Sequence, residues 1–205
     1  MNKAVLMSIQ PKWCELIASG KKTVEVRKTK PKIEPPFKCY IYETKMKWFF
    51  NLLRKMGLSE LANKLLIGKG KVIGEFVCNR FVFLDAYYDS NGNRHLCNTA
   101  FIKSCVPDDE LFDYLYGKHG HKHGGWAWHI SDLVIYDKPK ELREFKQYCD
   151  GVGGSIGCRG CEYYYTESNE SIGTYEECLC DNSRPLKRPP QSWCYVEELK
   201  GDRTE

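Results

Sequence analysis

A chain of 205 residues with 42% apolar and 28% charged side chains can bury a core of its own and does not have the composition of a disordered segment. Its formal charge of +4 permits contact with phosphates but falls far short of the excess by which proteins bind nucleic acid on charge alone. No apolar run approaches a membrane span, and the opening MNKAVLMSIQPKW is too short and interrupted for a signal peptide. With eleven cysteines, the reducing cytosol is therefore the expected compartment, a cytoplasmic setting in which thiols stay reduced or bind metal.

In chain order, residues 4 to 9 (AVLMSI) read as a short buried strand. Pro11 then stands where a helix can begin, with Trp13, Leu16 and Ile17 on one apolar face and Gly20 as its stop. Lys22 to Arg27 alternates: Val24 and Val26 point one way, while Thr23, Glu25 and Arg27 point the other. The proline-broken loop 30–36 leads to a strand over Lys38–Glu43. Residues 46 to 66 have helical spacing on both sides of Gly57 and predict an inserted helical pair. A long bent strand is expected from Lys71 to Leu84, followed by a hairpin signal at Asp89-Ser-Asn-Gly92. Pro107 to Glu110 opens an amphipathic helix carrying Leu111, Tyr114 and Leu115. Gly125 to Tyr136 is the next strand, ended by Lys138-Pro139, and the segment around Trp193 to Val196 is a last one. The pattern suits an α+β fold, a mixed β-barrel with flanking helices. It divides into a domain over 1–145, with a helical insertion at about 46–68, and a Cys-rich tail over 146–205 whose final strand returns to the barrel.

Charge is uneven along the chain. Lys21, Lys22, Arg27, Lys28, Lys30, Lys32 and Lys38 face only Glu25 and Glu34 within one short stretch. Inside it, Gly20 allows a tight helix-to-strand turn, and Lys22 at the turn's exit is expected to swing freely toward the polar face of Glu25 and Arg27. A carboxylate between two cations fixes the arginine fork and still leaves cationic groups for a phosphate or a base edge. The bland alternative is an ion-paired strand face that caps one end of a barrel.

The run Ser8-Ile-Gln-Pro-Lys-Trp-Cys-Glu-Leu-Ile-Ala-Ser-Gly20 followed by Lys22, Glu25 and Arg27 resembles the ASCH family of the PUA-like superfamily, whose hallmark is Gly-x-Lys-x-x-Glu-x-Arg. All four hallmark positions match, and the strand pattern extends the resemblance loosely to about residue 137. The resemblance implies a cleft that accepts RNA or a modified nucleotide, with Gln10, Trp13, Lys22, Glu25 and Arg27 as its binding residues. Some relatives are amidohydrolases acting on acetylated cytidine, in which the motif lysine works beside a threonine and a distant glutamate. Here the lysine is Lys22 but the threonine position holds Glu25, which cannot readily replace a hydroxyl nucleophile. An enzyme would therefore draw on Lys22, Thr23 and Glu25, with Glu75 or Glu110 as the distant carboxylate. A protein-interaction adaptor with a vestigial cleft is a third reading.

Tryptophans can stack on unpaired bases, and Trp13, Trp48, Trp126, Trp128 and Trp193 are the candidates. Alternation puts Trp126, Trp128 and Ile130 together on one strand face and His129 on the other. His119, His121 and His123 stand in a glycine loop, a pattern read as a charged surface tract rather than a metal site. The tail differs. Cys158-Arg-Gly-Cys161 has zinc-knuckle spacing, and Cys178 and Cys180 with Cys149 supply further thiolates, so a structural zinc on four of these five is expected.

Overall fold

The computed structural model describes residues 2–45, 55–57, 70–97, 99–116, 124–148 and 184–199. The inserted helical pair, apart from 55–57, lies outside the described residues, as do Trp48, the histidine tract and Cys149, Cys158, Cys161, Cys178 and Cys180.

Strand β1 (Lys3–Ile9) is buried almost throughout, which explains why its sequence is a continuous apolar run rather than an alternation. Val5, Met7 and Ile9 enter one core cluster and Ala4 and Leu6 another on the opposite face. Helix α1 (Pro11–Ala18) starts with proline at its first turn and buries Cys14 and Ile17. It ends at Gly20, whose φ of 73° lies in the left-handed region that other residues enter only at a cost. The Gly20 N–H donates to the Ile17 carbonyl and the Lys22 N–H to the Leu16 carbonyl, so the turn delivers β2 (Val24–Arg27) directly from the helix.

The remaining strands are β3 (Phe37–Glu43), β4 (Val72–Tyr88), β5 (Arg94–Cys97), β6 (Gly125–Lys140) and β7 (Trp193–Glu197). They form one mixed sheet in the order β2-β6-β4-β3-β1-β7, with β5 paired to the far end of β4. β1 runs parallel to β3, and the other pairs are antiparallel. The long pairing of β4 with β6 is interrupted by register shifts, as between Cys78 and Phe81, irregularities of the kind that bend a ladder without ending it. The β4–β5 turn is held by Asp89, whose carboxylate accepts the N–H groups of Asn91 and Asn93.

A barrel was the expectation, and among the described residues the sheet is instead open, with β2 and β7 at the two ends of its strand order. The ends approach one another through side chains. Trp193 Nε1 donates to Thr29 Oγ1 at 3.1 Å, and the Lys32 N–H donates to the Tyr195 hydroxyl at 2.7 Å. Between β2 and β3, Pro31, Pro35 and Pro36 offer no N–H to a ladder, which suits the loop that connects them.

Helix α2 (Asp108–Tyr116) lies on the Val24 and Val26 face of β2, burying Leu111, Phe112 and Leu115 against Leu84 and Ala127. Tyr114, expected to belong to the apolar face, is instead exposed, and Phe112 takes the core position. Trp126 and Ile130 pack with the fully buried Trp128.

Candidate functional site

The open sheet creates the site. Among the described residues β2 is paired on one side only, with β6, and beside it lies a cleft of about 810 Å³ that extends to Ser8 at the end of β1 and to α1 and α2. That is the size range of small-ligand pockets.

The cleft floor is a buried ion cluster. Glu25 is 6% exposed and Lys22 only 2%. One Glu25 oxygen lies 3.1 Å from Lys22 Nζ and the other 3.1 Å from Arg27 Nη2. Lys22 also donates to the Ser104 carbonyl at 2.6 Å, and Arg27 Nη2 to the Ser8 carbonyl at 2.6 Å. Lys22 is thus not the free swinging cation that its place at a turn exit suggested. A short 3₁₀ segment, Thr99–Ser104, presents the carbonyl that pins it.

Two features leave the cluster incomplete. An ammonium has three N–H donors, and two of those on Lys22 are taken by Glu25 and Ser104. Arg27 Nε is buried with no hydrogen-bond partner among the described residues, a condition that costs on the order of 1–3 kcal/mol unless something occupies it. Both side chains line the cleft.

The walls mix aromatic and cationic groups. Trp13 stands with Lys12 Nζ at 4.2 Å and Lys22 Nζ at 5.2 Å from its ring centre. Opposite, Tyr114 lines the cleft from α2, with Lys28 Nζ 5.3 Å from its ring. Although 40% exposed, Tyr114 is partly covered, and that partial burial raises its pKa, while the charge of Arg27 pulls the other way. Four cationic side chains (Lys12, Lys22, Arg27 and Lys45) line the cleft against two carboxylates, Glu25 and Glu110, so its field favours an anion. Glu110 is exposed and pairs with Lys12 at 3.6 Å.

Of the residues singled out from sequence, Gln10, Trp13, Lys22, Glu25 and Arg27 all line the cleft, as does Glu110. Thr23 is not among its lining residues. Its backbone accepts from the Ile130 N–H and donates to the Lys103 carbonyl, which ties it between β6 and the 3₁₀ segment. Glu75 is elsewhere, bound by Lys38 and Tyr136. His129 faces away from the tryptophans, with Nδ1 3.4 Å from Arg80; burial, then the charges of Arg80 and Lys103, hold its pKa below 6.5. Burial, then the charges of Glu43 and Glu25, push the Cys14 thiol far above the ordinary 9.0, which favours its protonated form.

Tyr42, Thr44, Lys45, Tyr114 and the Pro189-Pro190-Gln191 segment also line the cleft, although nothing in their local sequence marks them for it. Tyr42 lies in β3, which is buried almost throughout, so no alternation sets it apart. The last segment is drawn in by the Ser8 hydroxyl, which donates to the Pro190 carbonyl at 2.7 Å.

The ASCH domain model matches residues 7–178, a span that contains the whole of this floor, and the chain belongs to the ASCH domain family. The match runs beyond residue 137, to which the resemblance was traced from strand pattern. A comparison with curated proteins finds no match. Among solved structures, the ASCH protein of Zymomonas mobilis is similar at 20% identity, covering 68% of this chain and 73% of that one with a TM-score of 0.45. Two point mutants of the same protein are also similar. The tyrosine-to-phenylalanine form has 20% identity, coverage of 69% and 77% and a TM-score of 0.44. The serine-to-alanine form has 19% identity, coverage of 68% and 74% and a TM-score of 0.43. Among the described residues, no helix is long and apolar enough to cross a membrane, and no group of three or more His, Cys, Asp or Glu side chains could hold a metal ion.

Proposed function

We propose that this protein binds RNA or a modified nucleotide in the cleft beside β2. The observation that carries the reading is the unpartnered Arg27 Nε, buried in a cationic cleft. A structural ion cluster would be expected to satisfy its own donors, whereas a binding floor holds some in reserve for a phosphate or a base edge. Trp13 and Tyr114 add aromatic surface on which an unpaired base can stack. Glu25 aims Arg27 and compensates its charge before the ligand arrives.

Hydrolysis of a modified nucleoside such as acetylated cytidine is the second reading, favoured by the third N–H of Lys22. It ranks lower because Thr23, the hydroxyl beside that lysine, is not among the cleft residues and Glu25 already engages the ammonium. A screen of nucleotides and short RNAs against wild type and Arg27→Ala tests both. Binding that weakens as salt rises, and that falls at least about tenfold in Arg27→Ala, supports the proposal. If no ligand distinguishes the two proteins, the proposal fails. Turnover of acetylated cytidine that disappears in Lys22→Ala would replace it with the hydrolase, and an adaptor would show neither binding nor turnover.

A further inference from the structure

A second feature adjoins the cleft. Arg27 pairs with Trp126 across β2 and β6, and Trp126 pairs with Phe83 across β6 and β4. Directly opposed residues project to the same face of a sheet, so the cleft arginine, the indole and the phenyl ring form one row. The row spans two strand spacings, on the order of 10 Å, which is a few stacked-base steps.

Phe83 is 49% exposed, with its ring centre 5.2 Å from that of Trp126 in an edge-on arrangement. Lys30 Nζ stands 4.5 Å from the Trp126 ring centre and 5.6 Å from that of Phe81. Lys28, on the same loop, reaches Tyr114 in the cleft. Lys28, Lys30 and Lys32 are all exposed. The loop between β2 and β3 therefore sets Lys28 over the cleft's Tyr114 and Lys30 over the Trp126 indole, whose edge-on neighbour Phe83 is exposed.

Resting on the proposed function, we infer that Phe83 and Trp126, with Lys30 over the indole and Lys28 on the cleft side, are a stacking platform for the strand that continues out of the cleft, and that the ligand is accordingly a single-stranded nucleic acid longer than one nucleotide. Exposed phenylalanine at the core's edge is costly to hydrate. A base offers it a π-face, and the neighbouring lysines meet the phosphates on either side of that base. An acidic or neutral protein surface would use the apolar ring but has no regular spacing of charge and ring to match the lysine and aromatic row.

Affinity of the full chain for uridine monophosphate and for a short oligouridylate, measured on wild type, Phe83→Ala, Lys30→Glu and Arg27→Ala, decides the point. Phe83→Ala should bind the oligonucleotide roughly fivefold to a hundredfold more weakly and the mononucleotide as wild type does. Lys30→Glu should lose oligonucleotide affinity with a shallower salt dependence, since it removes a phosphate contact, and it tests the platform without touching a ring. Oligonucleotide affinity unchanged in both variants overturns the platform, as a protein occupant would require, while the cleft reading stands if Arg27→Ala still weakens both ligands. If wild type binds neither ligand, the platform falls, and the cleft reading is decided by the screen of nucleotides and short RNAs with Arg27→Ala.

Discussion

Two lysine-glutamate clusters sit on this sheet, and they are built differently. Lys38 on β3 lies 2.9 Å from Glu75 on β4 and 3.4 Å from Glu198, and Glu75 also accepts the Tyr136 hydroxyl at 2.5 Å. All three charged groups are partly exposed, and two carboxylates face one cation. Burial alone would lower the Lys38 pKa, but its hydrogen bond with Glu75 and the nearby charge raise it above 10.5. The cluster is complete: each charged group is paired with another, and none lines the cleft.

The Lys22–Glu25–Arg27 cluster reverses each of these properties. Lys22 and Glu25 are buried and the Arg27 side chain is 12% exposed, cations outnumber the carboxylate, a donor has no partner among the described residues, and all three groups line a cavity. Burying charge is expensive, so a fold that does it and leaves the set incomplete is spending stability where a ligand can recover it. That contrast, more than the presence of ion pairs, separates a site from a strut.

The comparison can be broken by deletion. Glu25→Ala leaves two cations buried together without their counter-charge, and the loss of stability in urea unfolding should be about 3–5 kcal/mol. A loss below that of the Lys38 cluster would dissolve the distinction. Lys38→Met should cost only about 0.5–1 kcal/mol, because its partners are partly solvated.

The same lysine gives the contrast a pH signature. Its folded pKa is raised, so its contribution is fully present below 10.5 and is lost as pH rises through the folded value. Burial also raises Tyr40, to about 12, and Tyr136, which adds to instability in alkali. Lys38→Met should therefore show a shallower alkaline fall in stability than wild type, measured as the unfolding midpoint against pH; an identical fall would detach Lys38 from Glu75.

The floor of the cleft was legible in sequence because its parts are local. A helix stop at Gly20 and an alternation over β2 bring Lys22, Glu25 and Arg27 to one place within eight residues of chain. What escaped is set by long-range packing. Free motion was expected of Lys22 because nothing nearby in sequence reveals that the Ser104 carbonyl, from the distant 3₁₀ segment, will lock it. Tyr114 looked like core because its helix has the right period for either tyrosine or Phe112 to face inward, and only docking against Val24 and Leu84 chooses. The open sheet was hidden for a related reason: strand count is visible in sequence, but whether the two end strands pair is a long-range matter, and here they meet through side chains such as Trp193 and Thr29 instead.

The most direct test follows the Arg27 Nε–H resonance by ¹⁵N–¹H spectroscopy while a binding nucleotide or short RNA is titrated. A ligand seated on the cleft floor should shift that resonance saturably, in step with the fraction bound. If the ligand binds and the Arg27 resonance stays fixed while signals around Lys38 and Glu75 move, the cleft beside β2 is not the binding site.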